Sequence, residues 1–414
     1  MEIRPILSAL LRSKTGAILV ALQVAISLAI LSNALHIVQI RQAVAARPSG
    51  LADESSLFYI QVRHLREGDH NEQMATQRAE TATLRAVQGV TSVAFTNQMP
   101  MTRNGSTNSV AADRKQVNES AGAAYYYTAD SLVQTWGLKL VEGRDFRADE
   151  VLDLDNDKDD DNASIPKAVI ITRALANKVW PGAGSVIGKT LYFGTGEGAQ
   201  PAPVVGVVER LQTQGAEVSE RGEYSTIVPM RLSHGFGTTY TMRAEAGQLD
   251  RVMKEAEAAL QRTATGPVIL RAKTVSNDRK DRYRADNALS WMLITVSVLL
   301  LLITASGIVG MASLWVTQRR KQIGVRRALG ARRVDILRYF LTENFMITSV
   351  GVAAGVLLSI GLNQLLVSKL EMAKLPVEYL LGGAGVFWLL GALAVYGPAW
   401  RAATISPATA TRSA

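Results

Sequence analysis

Residues 319–330 read Arg-Arg-Lys-Gln-Ile-Gly-Val-Arg-Arg-Ala-Leu-Gly, a basic stretch punctuated by glycine that lies between two long apolar segments. Between Trp315 and Phe340 there is one acid, Asp335, and there are eight cations: Arg319, Arg320, Lys321, Arg326, Arg327, Arg332, Arg333 and Arg338. Because cytoplasmic loops of membrane proteins carry an excess of Lys and Arg, this loop is predicted to lie in the cytoplasm. The remaining topology follows from this assignment.

Four apolar segments are long enough to cross a bilayer, which requires about 20 residues for a hydrocarbon core of about 30 Å. They cover residues 16–38, 288–314, 340–367 and 379–397. The first follows several cations, as a signal peptide would, but its apolar run is too long and no clear cleavage site follows. We therefore interpret it as a retained helix, and the predicted fold class is a membrane protein with four transmembrane α-helices, arranged as one plus three.

The cations at the ends of these spans predict the sidedness of every other segment. The predicted cytoplasmic segments are 1–15, the loop 315–339 and the tail 398–414. On the outer side we expect a large domain at 39–276, a helical stalk at 277–287 and a short loop at 368–378. The stalk is predicted as a helix because it is charged and contains neither Pro nor Gly.

Charge within the outer region is balanced. Residues 41–286 contain 30 Lys and Arg and 31 Asp and Glu, so the formal net charge of +9 belongs to the short cytoplasmic segments. The high isoelectric point is therefore explained by topology, and we expect no nucleic-acid partner. The sequence contains no cysteine, which excludes disulfides and thiolate chemistry, so burial of a core must stabilise the outer domain.

Two similar patterns stand at the two ends of the outer region. Each predicts a strand, a helix and a second strand, at 57–62, 72–87 and 90–96 and again at 238–244, 248–263 and 268–273. We therefore predict two related β-α-β halves that form one α+β body from residues 39–124 and 236–276. Residues 125–235 contain apolar strands such as 204–208 and 226–230, and we expect them to form an inserted, strand-rich subdomain.

Three features imitate catalytic or binding motifs. Residues 183–190 read Ala-Gly-Ser-Val-Ile-Gly-Lys-Thr, one residue from a Walker A P-loop, but the first glycine is missing and a strand is predicted where the helix should begin. Gly194, Gly196 and Gly198 lack dinucleotide-binding spacing and are typical of a hairpin turn. The acidic run 149–161 fails the EF-hand pattern at Lys158 and Ser164, so we expect a solvated, mobile loop, with loose cation binding as the alternative.

No catalytic or metal site is predicted. The four histidines, His36, His64, His70 and His234, show neither ligand spacing nor a paired nucleophile. Small and polar residues within the spans are typical of close helix packing in lipid, and we expect this role for Gln23, Ser27, Gly351, Gly355 and Ser359. No predicted span contains a pair of ionisable groups, which argues against a proton-driven or sodium-driven carrier.

The chain resembles the MacB/FtsX-type permeases of ABC transporters across nearly its full length. Residues 126–146 (Tyr-Tyr-Thr-Ala-Asp-Ser-Leu-Val-Gln-Thr-Trp-Gly-Leu-Lys-Leu-Val-Glu-Gly-Arg-Asp-Phe) are similar to the periplasmic core domain of this family, as are 168–176, 188–190 and 204–208. Residues 319–331 resemble its cytoplasmic loop, and residues 398–407 (Pro-Ala-Trp-Arg-Ala-Ala-Thr-Ile-Ser-Pro) resemble its C-terminal signature.

The resemblance implies a bacterial inner-membrane permease that is not itself an enzyme and works by mechanotransmission. Cytosolic ABC ATPases would bind ATP and Mg²⁺, a second permease copy or paralogue would pair with this chain, and a periplasmic adaptor and outer-membrane channel would complete an exporter. The coupling residues would be Arg319, Arg320, Lys321, Gln322, Ile323, Gly324, Val325, Arg326, Arg327, Ala328, Leu329 and Gly330. Among these, Ile323, Val325, Ala328 and Leu329 are expected to pack on the ATPase and the arginines to orient it.

Two departures from the family pattern affect the partners. MacB proteins carry a fused ATPase, whereas only about fifteen residues precede the first span here and no true Walker motif occurs, so we expect the ATPase on a separate chain. The family loop commonly has glutamate before Ile-Gly, whereas this sequence has Gln322, which removes one possible ionic contact.

Four functions compete. Export of periplasmic substrates is favoured by the large outer insert. A mechanical regulator of a periplasmic hydrolase, as in FtsX, and a lipoprotein-releasing permease share the topology. A membrane-anchored sensor would have no ATPase partner.

Overall fold

The computed structural model describes residues 14–66, 68–155, 166–232, 237–370 and 373–404. Its helices are α1 (Lys14–Ala45), α2 (His70–Arg85), α3 (Leu132–Trp136), α4 (Arg173–Val179), α5 (Leu249–Thr263), α6 (Val275–Gln318), α7 (Arg320–Ala328), α8 (Arg333–Leu370) and α9 (Val377–Ala403). Single 3₁₀ turns lie at Glu54–Ser56, Ala148–Glu150 and Glu220–Glu223.

The strands are β1 (Leu57–His64), β2 (Val90–Thr96), β3 (Thr107–Ala111), β4 (Ala121–Thr128), β5 (Leu140–Gly143), β6 (Leu152–Leu154), β7 (Val169–Thr172), β8 (Thr190–Phe193), β9 (Gln200–Val208), β10 (Ser225–Leu232), β11 (Thr238–Ala244) and β12 (Val268–Thr274). The chain divides into two compact units: Val44–Ala285, and Met1–Ala43 together with Asp286–Ala414.

Four helices are long and apolar enough to cross a membrane, which confirms the predicted arrangement of one plus three. They are α1, α6, α8 and α9, with 32, 44, 38 and 27 residues. Helix α6 contains both the predicted stalk and the second predicted span, since no Pro or Gly interrupts residues 275–306. Residues 1–13 of the predicted segment 1–15 lie outside the described residues. Residues 405–414 of the predicted tail 398–414 also lie outside them.

The two predicted β-α-β halves are confirmed, and their strands interleave in one sheet. The order is β12-β1-β11-β2, and every neighbouring pair is antiparallel, so β1 runs parallel to β2 and β11 parallel to β12. In the register, Tyr240 of β11 lies between Ile60 of β1 and Phe95 of β2. These three side chains are buried in one core with Leu84 of α2 and Leu260 of α5, whose burial supplies the stabilisation that disulfides cannot.

The inserted subdomain forms an eight-stranded sheet, in the order β4-β3-β8-β9-β7-β10-β6 with β5 on β9. Strand β4 also pairs with β10, so the path from β4 to β10 closes on itself. The predicted start of the insert at residue 125 is wrong, because β3 pairs with β8 through Val110 and Phe193, and β4 pairs with β3. The alternating pattern predicts a strand but not its distant partner, so the boundary could not be set from sequence.

The segments that resemble a P-loop and a dinucleotide-binding motif form a strand and a hairpin turn. Strand β8 begins at Thr190, where a P-loop would start its helix, and Lys189 lies 5.6 Å from the centre of the Trp180 ring. The three glycines connect β8 to β9, which are antiparallel, so the predicted hairpin is confirmed. In the acidic run, Asp153 forms ion pairs with Arg78 and Arg231, so this acid is held in place. Residues 156–161 of the run lie outside the described residues, and so do Ser164 and His234.

Candidate coupling site at the cytoplasmic helix ends

The basic segment 319–330 folds as a short helix with a defined end. Helix α7 follows Arg319, and its last turn closes where the Gly330 amide donates to the Arg327 carbonyl and the Ala331 amide to the Arg326 carbonyl. Gly330 has a φ of +97°, the left-handed conformation that a helix-ending Schellman motif requires and that glycine adopts without a steric penalty. The glycine therefore fixes where α7 stops.

Helix α7 rests on the spans through one face and is open on the other. Ile323 is 5% exposed and belongs to the same buried cluster as Ile336, Phe340 and Trp315, and Gly324 is also buried. The expectation that Ile323 packs on a partner is therefore wrong, because the chain's own helices cover it. The side chains or backbone that remain exposed are those of Arg320, Lys321, Gln322, Val325, Arg326, Ala328, Leu329 and Gly330.

The exposed face combines apolar and cationic side chains. Val325 is 52% exposed and Leu329 is 83% exposed, although both lie outside the predicted spans. Arg327 is half-buried and its Nη1 atom donates to the Ala331 carbonyl at 3.1 Å, so it supports the helix end. The predicted coupling residues therefore divide into an exposed set and an anchoring set.

Arg319 is an anchoring residue, and its partner lies in the third span. Its Nη1 atom lies 2.9 Å and 2.8 Å from the two carboxylate oxygens of Glu343 in α8. The Glu343 side chain is 1% exposed and that of Arg319 is 16% exposed. The Nη1 atom is also 3.3 Å from the Tyr339 hydroxyl, and the Arg326 guanidinium lies 5.2 Å from the centre of the Tyr339 ring.

This ion pair adds a buried acid to the third predicted span, although no predicted span contains both members of an ionisable pair. Glu343 falls inside the predicted span 340–367, and its cation comes from the preceding loop. Sequence reasoning missed Glu343 because the loop cations had been assigned to topology and to a partner. A lone acid within an apolar span was the available signal, since such residues are costly in lipid unless they are paired.

The predicted packing residues lie at helix contacts within the membrane unit. A Cβ atom built on Gly351 would lie 2.7 Å from the Ala21 carbonyl oxygen, and one built on Gly355 would lie 3.0 Å from that of Ala25, so α8 approaches α1 closely at both glycines. Ser27 of α1 and Thr304 of α6 share a hydrogen bond of 3.0 Å. These contacts are of the kind that brings membrane helices together.

Gln23 and Ser359 have different surroundings. The Gln23 amide faces Gly307 of α6, where a Cβ atom would lie 2.5 Å from its oxygen. Ser359 is fully buried and its backbone carbonyl accepts a hydrogen bond of 3.2 Å from Asn33, while its hydroxyl has no partner among the described residues.

In the described ranges, no three His, Asp or Glu side chains are grouped so that they could hold a metal ion.

The outer unit has a polar junction where α6 begins. Arg279 donates from Nε and Nη2 to the two carboxylate oxygens of Glu54, at 2.7 Å and 2.6 Å. Its Nη1 atom also donates to the backbone carbonyls of Ala45, at 3.0 Å, and Arg47, at 3.1 Å. One guanidinium therefore joins the end of α1 to the start of α6 within this unit. Sequence reasoning predicted the helix here but not this contact.

Two family profiles match the chain. The profile described as the MacB-like periplasmic core domain matches residues 18–261, and the one described as the FtsX-like permease C-terminal domain matches residues 294–407. The second match includes the whole of α7 and both members of the Arg319–Glu343 pair.

Curated relatives include exporters. The macrolide export ATP-binding/permease protein MacB of Chromobacterium violaceum is 28% identical over 276 residues, which cover 66% of this chain and 40% of the relative. The pyoverdine export ATP-binding/permease protein PvdT of Pseudomonas savastanoi pv. phaseolicola is 37% identical over 131 residues, or 31% of this chain and 20% of the relative. The chain thus spans at most about two fifths of the length of these relatives.

Among solved structures, the periplasmic region of MacB from Actinobacillus actinomycetemcomitans aligns with 58% of this chain and 97% of its own length, at 14% identity and a TM-score of 0.34. The family assignment rests on the sequence profiles, because the core-domain profile alone covers more than half of the chain. The chain therefore belongs to the MacB-like and FtsX-like permeases of ABC transporters, multi-pass proteins of the bacterial inner membrane with a large periplasmic domain.

Proposed function

We propose that the chain is the permease subunit of an ABC exporter and that it works by mechanotransmission. A cytosolic ABC ATPase binds and hydrolyses ATP with Mg²⁺, and this chain catalyses no reaction. Two permease subunits, either two copies or a copy and a paralogue, pair in the membrane. Movement of the ATPases passes through α7 to the spans and on to the periplasmic domains, so that substrate is driven from the periplasm without passing between the helices.

The observation that carries this proposal is the two-sided burial of α7. One side is fixed to the spans by Ile323, while Val325 and Leu329 project on the other side among cations. Protein interfaces combine an apolar centre with charged groups that set orientation, which suits this surface to a subunit with an apolar, acidic docking groove. A helix that met only the membrane surface could also carry cations beside apolar side chains, so the test must separate a protein partner from lipid.

Export is supported by the names of the relatives, which export macrolides and pyoverdine. A periplasmic adaptor and an outer-membrane channel would give the substrate a route past the outer membrane. The alternatives, control of a periplasmic hydrolase and release of lipoproteins, require the same ATPase contact. They differ only in what the periplasmic domain engages.

The test is purification of the chain from membranes with its ATPase, comparing wild type with V325D/L329D. Both side chains are exposed, so the substitutions leave the chain's own core intact. V334D is the matched control, since Val334 is an exposed valine in the first turn of α8, outside 319–330. We expect the ATPase and its ATP-hydrolysis activity to copurify with wild type and with V334D. Neither should copurify with V325D/L329D.

The corresponding charge test is R326E/R327E, which should also release the ATPase while insertion is retained. It is less specific, because Arg326 packs on Tyr339 and Arg327 donates to the Ala331 carbonyl. Failure to recover any ABC ATPase with the wild-type chain would reject the proposal. An adaptor recovered with the complex would favour export, whereas a cell-wall hydrolase or a lipoprotein carrier would favour the alternatives.

A further inference from the structure

Glu343 is a buried carboxylate that the coupling surface does not explain. Its side chain is 1% exposed, and it lines a cavity of about 10 Å³ with Trp315, Phe340 and Asn344, which is room for about one water molecule. A buried ion pair often adds no more stability than well-packed apolar side chains of the same volume. In some proteins such a pair instead selects a single geometry, because both charges need each other's hydrogen bonds.

The partner of Glu343 stands at the bend between two helices. The Arg319 amide donates to the Trp315 carbonyl at 3.0 Å, in the last turn of α6, and the Arg319 carbonyl accepts from the Ile323 amide at 3.0 Å, in the first turn of α7. Arg319 therefore belongs to the hydrogen-bonding pattern of both helices. Holding its side chain fixes the direction in which α7 leaves α6.

A second contact extends the pair to the exposed face. Tyr339, one turn before Glu343 in α8, meets Arg319 through its hydroxyl at 3.3 Å and Arg326 through its ring at 5.2 Å. Arg326 lies on the face that we assign to the ATPase. The described contacts thus run from that face through Tyr339 and Arg319 to a carboxylate inside the third span.

We propose that Glu343 is a positioning residue: through Arg319 it holds the junction of α6 and α7 against α8, so that force applied to α7 moves the third span with it. This inference rests on the proposed function for the source of that force. The geometric part, that Glu343 determines the placement of α7, is independent of any ATPase. Loss of the carboxylate loosens α7 relative to α8, although Ile323 still packs on the spans, and force on α7 is then transmitted less completely.

The geometric part is tested by the distance between spin labels on α7 and α8. The chain contains no cysteine, so Q322C/V334C labels only these two exposed positions. We expect a narrow distance distribution for the otherwise wild-type chain and a distribution at least about twofold broader for E343Q, which removes one charge of the pair. R319K keeps the charge and one donor and should stay close to wild type, as should R338Q, which removes an exposed cation from α8.

The mechanical part is tested on the complex with the ATPase. E343Q should bind the ATPase as wild type does but lose about tenfold in ATP turnover of the complex, about the effect of one charge-assisted hydrogen bond. A purely structural role would lower yield and binding together. Distributions and turnover equal to wild type would overturn the proposal.

Two further outcomes are separable. If E343Q does not reach the membrane, the exchange variant R319E/E343R is compared with R319E and E343R alone. More chain in the membrane for the exchange variant than for either single variant supports the ion pair, and an equal amount overturns it. If wild type recovers no ATPase, the proposed function fails, while the label distances still decide whether Glu343 positions α7.

Discussion

Arg319 and Glu343 are 24 residues apart in sequence, and a single guanidinium nitrogen of Arg319 contacts both oxygens of the Glu343 carboxylate. The contact joins the end of the second membrane helix to the interior of the third. Each charge offsets the desolvation of the other, so the two residues must be considered together.

Removing one member of this pair should destabilise the chain. E343A leaves the Arg319 guanidinium with its charge partner missing, and we expect a loss of about 3–5 kcal/mol in the free energy of unfolding. The measurement is thermal unfolding of the full chain in detergent. R338A, at an exposed position of the same helix, should stay within about 0.5 kcal/mol of wild type. Equal losses for the two variants would contradict the assignment.

A side chain at Gly351 should separate α8 from α1. G351V places methyl groups where a Cβ atom already comes within 2.7 Å of the Ala21 carbonyl oxygen, and we expect a loss of about 1–3 kcal/mol. The matched control is G361V, since a Cβ atom at Gly361 of the same helix meets nothing within 4 Å among the described residues. Both variants change helix propensity equally, so the difference isolates packing. The measurement is the fraction of each variant that stays monodisperse after heating in detergent. Equal fractions for G351V and G361V would argue against close contact of α8 with α1 at Gly351.

Arg279 should hold the junction at the start of α6. R279K keeps the charge but cannot reproduce the two-pronged contact with Glu54 together with the bonds to Ala45 and Arg47, and we expect a local loss of about 2 kcal/mol. Hydrogen exchange should show faster exchange of the amides at 45–56. R284K is the control, since that side chain is 78% exposed. Faster exchange in both variants would point to a general charge effect instead.

The stability of the outer domain should depend on His64. The protonated His64 ring donates a hydrogen bond of 2.9 Å from Nε2 to the Glu80 carboxylate, which raises the pKa of His64, while burial opposes the shift. Because the folded-state pKa is the higher one, protonated His64 stabilises the fold fully below its unfolded pKa of about 6.5, and this contribution is lost as pH rises through the folded pKa.

The measurement is the change in unfolding temperature of the outer domain, within the full chain, between about pH 6 and about pH 9. We expect wild type to lose stability toward the higher pH by more than H64N does. E80Q should show the same reduced dependence, although it also affects the hydrogen bond that the Tyr240 hydroxyl donates to Glu80 at 2.6 Å. An unchanged pH dependence in H64N would show that other groups are responsible.

Most of the secondary structure could be predicted from sequence because it depends on local periodicity. The strand at Val90–Thr96 and the strand at Thr238–Ala244 have the predicted bounds, and the four apolar helices follow from segment length alone. The start of the inserted subdomain could not be predicted, because Val110 pairs with Phe193, which stands 83 positions later in the sequence (193 minus 110). Pairing over such a separation is decided by the packed sheet and not by either strand.

The candidate site divides in the same way. That 319–330 is a basic helix between spans could be predicted from its residues, because charge and hydropathy act on each segment separately. Which of these side chains face outward depends on how the helices pack: Ile323 is covered by the spans, Arg319 pairs with Glu343, and Val325 and Leu329 are left exposed. Burial and ion pairing depend on which helices meet in space, and the local pattern of charge and hydropathy does not reveal those neighbours.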